Sequence, residues 1–178
     1  MSDPAPSILS RLYEVRQAAM RVSAAPPAGV PKVITICNQK GGCGKTTTAI
    51  NVAASLGLSG YSTLLIDLDP QANATLGLGV DVENLTATVY DVFQDIRRRF
   101  EEIYFPTAVS NLYVAPASPL LAGAQLELAT LLNREQVLRQ ALQRMTPRFH
   151  FCINDCYPSL NLLTINALTA ASYCIVPL

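Results

Sequence analysis

Short apolar runs alternate with helix-like periodic runs along most of this chain. The apolar runs typical of buried strands span residues 33–37, 63–68, 112–115, 149–153 and 173–176. The patterns with helical spacing span residues 45–58, 88–103, 120–145 and 160–171. This alternation is typical of βαβ units, so the sequence predicts an α/β fold with a mainly parallel sheet flanked by helices. In such folds the functional residues gather beyond the carboxyl ends of the strands.

Residues 1–31 do not follow this alternation. Residues 7–23 are predicted to form a helix, because apolar residues repeat at spacings of four and three after the candidate N-cap Ser7. Residues 24–31 are rich in proline and alanine and cannot continue that helix. We therefore expect an N-terminal helix and linker over 1–31 and one domain over 32–178. The helix could pack on its own domain or dock a partner, and the sequence leaves both open.

The composition agrees with a sheet that is covered on both faces. Half of the residues are hydrophobic and 15% are charged, against about 25% charged in a typical domain. The formal net charge is zero, so no overall field would draw the domain to nucleic acid or to an anionic membrane. The sequence has neither a basic leader nor a long apolar run, and we expect a cytoplasmic protein without membrane contact. Its five cysteines lack C-x-x-C spacing and are predicted to be reduced thiols.

The segment after the first predicted strand has the composition of a phosphate-binding loop. Its residues are Lys40, Gly41, Gly42, Cys43, Gly44, Lys45, Thr46 and Thr47, and a predicted helix follows. Glycines let several backbone N–H groups converge on a phosphate, and the helix N-terminus adds its positive dipole end. Lys45 is placed to reach the β- and γ-phosphates, and the Thr46 hydroxyl is placed to ligate Mg²⁺. The structural alternative is a glycine turn that merely contains lysine, and the order strand, loop, helix argues against it.

Three aspartates stand at the ends of predicted strands. Asp67 and Asp69 are two residues apart at the end of an apolar run, and Asp155 follows the run that begins at Phe149. A spacing of two places Asp67 and Asp69 on one face of their strand. Carboxylates that project from buried strands are costly unless they hold Mg²⁺, water or a hydroxyl group. We therefore expect these acids around a magnesium ion near the phosphate loop.

These motifs resemble those of the ParA and MinD group of deviant Walker A ATPases. The loop matches the pattern K-G-G-x-G-K-[ST], and residues 67–75 match D-x-D-P-Q-x-N-A-T. Residues 114–124 look like the ParA branch, and the resemblance runs from about residue 32 to residue 178. It implies a P-loop NTPase fold, ATP and Mg²⁺ as cofactors, and ATP hydrolysis.

The resemblance also implies roles and partners. Lys40 would cross an ATP-sandwiched homodimer to the partner's phosphates, and Asp69 would orient the attacking water. Asp67 and Thr46 would support the Mg²⁺ shell, and Asp155 would hold a Mg²⁺-bound water. A ParB-like activating partner would dock partly through the N-terminal helix, and non-specific nucleoid DNA would be bound by a basic surface. In the family, that surface follows the strand that residues 173–176 resemble.

The sequence departs from the family pattern close to these residues. Ala72 stands where glycine is common, Asn154 replaces an apolar strand residue, Tyr157 replaces a proline, and Asn161 replaces a glycine that would allow positive φ. These departures lie in the segments implied in hydrolysis and leave the loop implied in ATP binding unchanged. A shortened, self-associating module that does not hydrolyse ATP is one alternative. A reductase with an iron–sulfur cluster on the same loop is another.

Two further features have mainly structural interpretations. His150 is the chain's single histidine and stands at the start of a predicted strand, where a packing role is expected. The run Arg97, Arg98 and Arg99 is followed by two glutamates. We expect these charges to pair with one another rather than to form a basic patch.

Overall fold

The computed structural model describes residues 29–95, 97–145 and 148–178. Its strands are β1 (Lys32–Ile36), β2 (Thr63–Leu68), β3 (Phe105–Pro106), β4 (Leu112–Ala115), β5 (Phe151–Cys156) and β6 (Tyr173–Ile175). They form one sheet in the order β3-β4-β2-β5-β1-β6. All neighbouring strands are parallel except the β3–β4 pair. The predicted α/β fold with a mainly parallel sheet is confirmed.

Six α-helices connect or follow these strands within the described residues. They are α1 (Lys45–Leu58), α2 (Asn73–Gly77), α3 (Val89–Gln94), α4 (Ala124–Ala129), α5 (Val137–Arg144) and α6 (Leu162–Ala170). None of the helices in these ranges is long and apolar enough to cross a bilayer. The helix predicted for residues 7–23 lies outside the described residues.

The sheet is buried on both faces, as the low charge content predicts. On one face, Ile36, Leu65 and Ile153 pack against α1, which contributes the small residues Ala49 and Ala53. On the other face a larger apolar cluster joins the sheet to α3, α4, α5 and α6. All six residues of β2 are buried, because this strand lies inside the sheet and is covered on both sides.

Two of the predicted helices are wrong in extent. The pattern over 88–103 forms only α3 and a 3₁₀ turn at Phe100–Glu102. The chain turns at Asp95, which is extended and accepts a hydrogen bond from the Arg97 amide at 2.9 Å. The pattern over 120–145 is divided into short pieces, and Asn133 adopts a left-handed φ of 55° between α4 and α5. The helices predicted over 45–58 and 160–171 are confirmed as α1 and α6.

The arginine run is paired as expected, although its residues lie outside a helix. Arg97 contacts Asp95 at 3.1 Å, Arg98 contacts Glu102 at 2.6 Å, and Arg99 contacts Glu101 at 3.1 Å. His150 accepts a hydrogen bond from the Ser62 amide through Nδ1 at 3.0 Å and packs edge-on against Tyr61. Both features therefore serve local structure.

Candidate functional site

The loop between β1 and α1 has the curved backbone that a phosphate-binding loop requires. Gly42 and Gly44 adopt φ angles of 72° and 80°, a left-handed conformation that costs other residues about 1–2 kcal/mol. A Cβ atom at either position would meet no neighbour within 4 Å. Backbone conformation, rather than lack of space, therefore demands glycine here. Asn38 anchors the start of the loop: its Oδ1 accepts from the Lys40 amide at 2.9 Å and its Nδ2 donates to the Pro177 carbonyl at 2.7 Å.

Lys45 lies in the concave side of this loop, at the first residue of α1. It is only 7% exposed, and its Nζ donates to the Lys40 carbonyl at 2.9 Å. The Cys43 thiol donates to the same carbonyl at 3.2 Å. By contrast, Gly41 and the Lys40 side chain are exposed. The loop thus holds one ammonium group inward and leaves the other lysine on the surface.

A cavity of about 440 Å³ opens beside the loop. Gly42 and residues 44–47 line one side of it, and Asp69, Asn73 and Pro158 line the other. The cavity thus joins the loop to the segments that follow β2 and β5, as expected for a site beyond the carboxyl ends of parallel strands. Asn73 and Pro158 are not among the predicted site residues, although Asn73 lies in the matched pattern of residues 67–75.

Asp67 is buried and fully engaged with the protein. Its Oδ1 accepts from the Asp69 amide at 3.1 Å, and its Oδ2 accepts from the Thr75 amide at 2.9 Å and the Thr75 hydroxyl at 2.7 Å. Burial raises the pKa of Asp67 to about 6, although these hydrogen bonds act in the opposite direction.

Asp155 lies opposite Asp67 in the register of β5 and β2. It falls inside β5, one residue before its end, rather than after the strand as the sequence suggested. Its side chain is fully buried, and neither carboxylate oxygen has a hydrogen-bond partner among the described residues. Burial raises the pKa of Asp155 to about 7, helped by the nearby charges of Asp67 and Asp69. The Thr46 hydroxyl and the Lys45 ammonium lower this pKa in part. The position favours an additional positive ligand.

Asp69 stands between Asp67 and the cavity. It is 6% exposed, and its Oδ1 accepts from the Gln71 amide at 2.8 Å. Burial raises the pKa of Asp69, while the Gln71 amide and the Lys45 ammonium lower it in part. Of the three aspartates, Asp69 is the one that lines the cavity.

The departures from the family pattern have different structural consequences. Ala72 adopts a left-handed φ of 55°, so the missing glycine imposes strain there. Asn161 is extended, with φ −101°, and its Oδ1 caps α6 by accepting from the Thr164 amide at 3.0 Å. The loss of a glycine at position 161 therefore imposes no backbone strain, because φ is negative there. Asn154 donates to the Thr35 hydroxyl at 2.9 Å, but its Oδ1 has no partner among the described residues.

A magnesium ion at this site would need ligands beyond protein acids. In the described part of the chain, no group of three or more His, Cys, Asp or Glu side chains could hold a metal ion. Mg²⁺ commonly takes one or two carboxylates together with waters and phosphate oxygens. The unpartnered oxygens of Asp155 and the neighbouring Thr46 hydroxyl fit such a shared site. The roles of individual site residues stay predictions.

Comparison with protein families matches residues 31–178 to the AAA domain family, AAA_31. The chromosome partitioning protein ParA of Myxococcus xanthus (strain DK1622) is 49% identical over 151 residues, which are 85% of this chain and 53% of that protein. The sporulation initiation inhibitor protein Soj of Bacillus subtilis (strain 168) is 47% identical over 146 residues, or 82% of this chain and 57% of Soj. The chain therefore spans about half the length of these relatives.

Solved structures show the same architecture. Cobyrinic acid a,c-diamide synthase from Mycobacterium smegmatis, with bound ATP analog and magnesium, has a TM-score of 0.80 and 40% identity over 84% of this chain and 60% of that chain. A plasmid partition protein from Borrelia burgdorferi B31 bound to AMPPNP has a TM-score of 0.72 and 27% identity over 83% and 61% of the two chains. Because the family match spans residues 31–178 and the ParA and Soj relatives are 49% and 47% identical, this chain belongs to the AAA_31 domain family and, within the P-loop ATPases, to the ParA and MinD group.

Proposed function

We propose that this chain is the nucleotide-binding part of a ParA-type ATPase that binds ATP with Mg²⁺ and hydrolyses it. The observation that carries the proposal is Asp155, a fully buried acid with two unpartnered oxygens behind a glycine loop that encloses Lys45. A buried carboxylate without a partner is costly, and a magnesium–nucleotide complex would supply the missing positive charge. The ATP analog and magnesium bound by a structural neighbour support the same ligand.

Each predicted site residue has a place in this proposal. The amides from Gly41 to Thr47 surround the phosphates, with Cys43 as one contributor, and Lys45 neutralises their charge. Thr46 and Asp155 hold the magnesium side of the site, with Asp67 behind them. Asp69, at the cavity wall, orients the attacking water. Bound magnesium would neutralise charge that develops on the phosphate oxygens.

The wider activity is proposed from the relatives. The matched ParA protein carries the name of a chromosome partitioning protein, and we propose that this chain acts in DNA or cargo positioning in the cytoplasm, on the nucleoid. The exposed Lys40 suits contact with a second copy across bound ATP, which gives an ATP-dependent homodimer. Non-specific DNA and a ParB-like activator, docked through the N-terminal helix, complete the proposed partners.

Calorimetry with ATP–Mg²⁺ tests the binding part. Lys45→Ala should abolish binding, because the only ammonium inside the loop is removed. The matched control is Lys32→Ala, since Lys32 is exposed at the opposite end of β1. Tight binding by the Lys45 variant would refute the assignment.

Phosphate release and light-scattering mass test the remaining steps. Asp69→Ala should retain ATP binding, stop turnover and accumulate the dimer. A non-hydrolysing, self-associating module is the second candidate, and the strained Ala72 favours it because it stiffens the segment that carries Asp69. Steady phosphate release that falls in Lys40→Ala would exclude this candidate.

A further inference from the structure

The Thr75 side chain links the ends of two strands behind the nucleotide cavity. Thr75 is fully buried in α2 and does not line the cavity. Its hydroxyl donates to Asp67 Oδ2 at 2.7 Å and accepts from the Ala117 amide at 3.0 Å. Asp67 belongs to β2, and Ala117 follows β4, the neighbour of β2 in the sheet. One hydroxyl group therefore joins two strand ends: its proton is donated to Asp67, and one of its lone pairs accepts from Ala117.

These bonds close a loop around the segment 69–75. Asp67 accepts from the Asp69 amide at one end of the segment and from Thr75 at the other end. Between them, the Ala72 amide donates to the Asp69 carbonyl at 2.8 Å. Asp69 is thus held from both directions, and its carboxyl group reaches the cavity while Thr75 stays behind it.

Resting on the ATP hydrolysis proposed above, we propose that Thr75 is a positioning residue for that reaction. Its hydroxyl fixes the segment 69–75 against Asp67 and Ala117, and so fixes the Asp69 carboxylate at the cavity. Thr75 does not reach the cavity, so it contributes to turnover through Asp69 rather than through nucleotide affinity. Small displacements of a catalytic group can cost up to about a hundredfold in rate, even when the substituted residue is remote.

The test compares Thr75→Val with Thr75→Ser in the full chain. Valine keeps the branched shape and removes the hydroxyl, whereas serine keeps the hydroxyl. The matched control is Thr63→Val, because Thr63 is equally buried at the opposite end of β2 and its hydroxyl donates to the Tyr61 carbonyl at 2.9 Å. Turnover, ATP–Mg²⁺ affinity and amide hydrogen exchange across residues 69–75 are measured for each variant at a temperature where all remain folded.

We expect Thr75→Val to lower kcat about tenfold or more while the ATP–Mg²⁺ Kd changes less than about threefold. Exchange across 69–75 should speed up in this variant, and Thr75→Ser should restore both turnover and protection. Thr63→Val should leave kcat unchanged. Unchanged kcat in Thr75→Val, or an equal loss of affinity and turnover, would overturn the inference.

Failure of the proposed function would look different. If the wild-type chain binds ATP–Mg²⁺ but releases no phosphate above background, hydrolysis is wrong for this chain and the catalytic role of Thr75 falls with it. The hydrogen-exchange data then test separately whether the Thr75 hydroxyl fixes the segment 69–75. Faster exchange in Thr75→Val supports the view that the hydroxyl holds the segment in place, and unchanged exchange refutes it.

Discussion

Asp67 and Asp155 stand opposite each other on neighbouring strands, and both are fully buried. Asp67 accepts three hydrogen bonds from Asp69 and Thr75. Asp155 accepts no hydrogen bond of ordinary geometry from the described residues, although the Thr46 hydroxyl lies close enough to lower its pKa in part. The comparison separates two kinds of buried acid: one is part of the scaffold, and the other has the properties of a ligand site.

The chain that follows each strand explains the difference. After β2 it turns back at once into α2, so the amides of Asp69 and Thr75 and the Thr75 hydroxyl all reach Asp67. After β5 it continues through Pro158, which has no amide hydrogen to donate. The first turn of α6 is capped by its own residue Asn161. No donor from the described segment after β5 reaches Asp155.

Removing the Asp67 carboxylate should have the largest effect on the free energy of unfolding. Asp67→Ala leaves the Thr75 hydroxyl and two buried amides without their acceptor, so we expect the free energy of unfolding to fall by about 3–5 kcal/mol. Urea denaturation of the metal-free protein measures this. Asp155→Ala is the matched variant, and it should lower the free energy of unfolding far less. Equal losses in the two variants would remove the distinction between the acids.

The pH dependence of stability sharpens the comparison. Burial raises the pKa of Asp155 to about 7 and that of Asp67 to about 6, above the unfolded value of about 3.9. The folded protein then binds more protons than the unfolded chain between these values. The stabilising contribution of these two acids is therefore full below about pH 4 and is lost as pH rises through 6 and 7. At about 1.4 kcal/mol per pKa unit, the two shifts together set an upper bound of about 7 kcal/mol for this loss in metal-free buffer. Asp155→Asn should flatten the slope and leave the smaller part due to Asp67.

The unpaired carboxylate of Asp155 should lower the stability of the metal-free protein and strengthen ATP–Mg²⁺ binding. At pH 7 without metal, we expect Asp155→Asn to raise the free energy of unfolding by about 1–2 kcal/mol, because a buried charge is removed. The same variant should bind ATP–Mg²⁺ at least about tenfold more weakly, because the magnesium side of the site loses its charge. Thermal melts with and without ATP–Mg²⁺ measure both effects. A variant that is less stable and binds normally would contradict the proposed ligand site.

The smallest effect concerns the strained residue between Asp67 and Thr75. Ala72→Gly should relieve the left-handed conformation but lose a buried methyl group, for a net gain below about 1 kcal/mol. The matched control is Ala74→Gly, because Ala74 lies within the helix α2. This substitution should lower the free energy of unfolding by about 1 kcal/mol. Chemical denaturation of the pair decides the sign at each position. A loss at Ala72 as large as that at Ala74 would show that strain is unimportant there.

Local sequence patterns were sufficient to predict the bounds of several helices and strands. The bounds of α1, β2 and β4 agree with their predicted spans to the residue. A glycine–lysine loop leads into α1, and short apolar runs between turn residues form the two strands. Each of these signals lies within a few neighbouring residues, so sequence patterns alone specify them.

Other features were missed by the periodicity of apolar residues or depended on pairing with distant strands. The helix predicted over 88–103 failed because the chain turns at Asp95, and the one over 120–145 failed where Asn133 takes a left-handed conformation. Helical periodicity does not reveal such breaks. The shift of β5 that placed Asp155 inside the strand followed from its register with β1 and β2.

The sequence by itself determined the α/β fold, the glycine–lysine loop and the presence of three acids near it. The tertiary structure alone decided which acid is paired, because Asp67 meets Thr75 eight residues away and Thr75 meets Ala117 a further 42 residues along the chain. Residue type and spacing predict that a carboxylate lies near a strand end. Only the folded arrangement of donors determines whether that carboxylate is satisfied by the protein or left for a ligand.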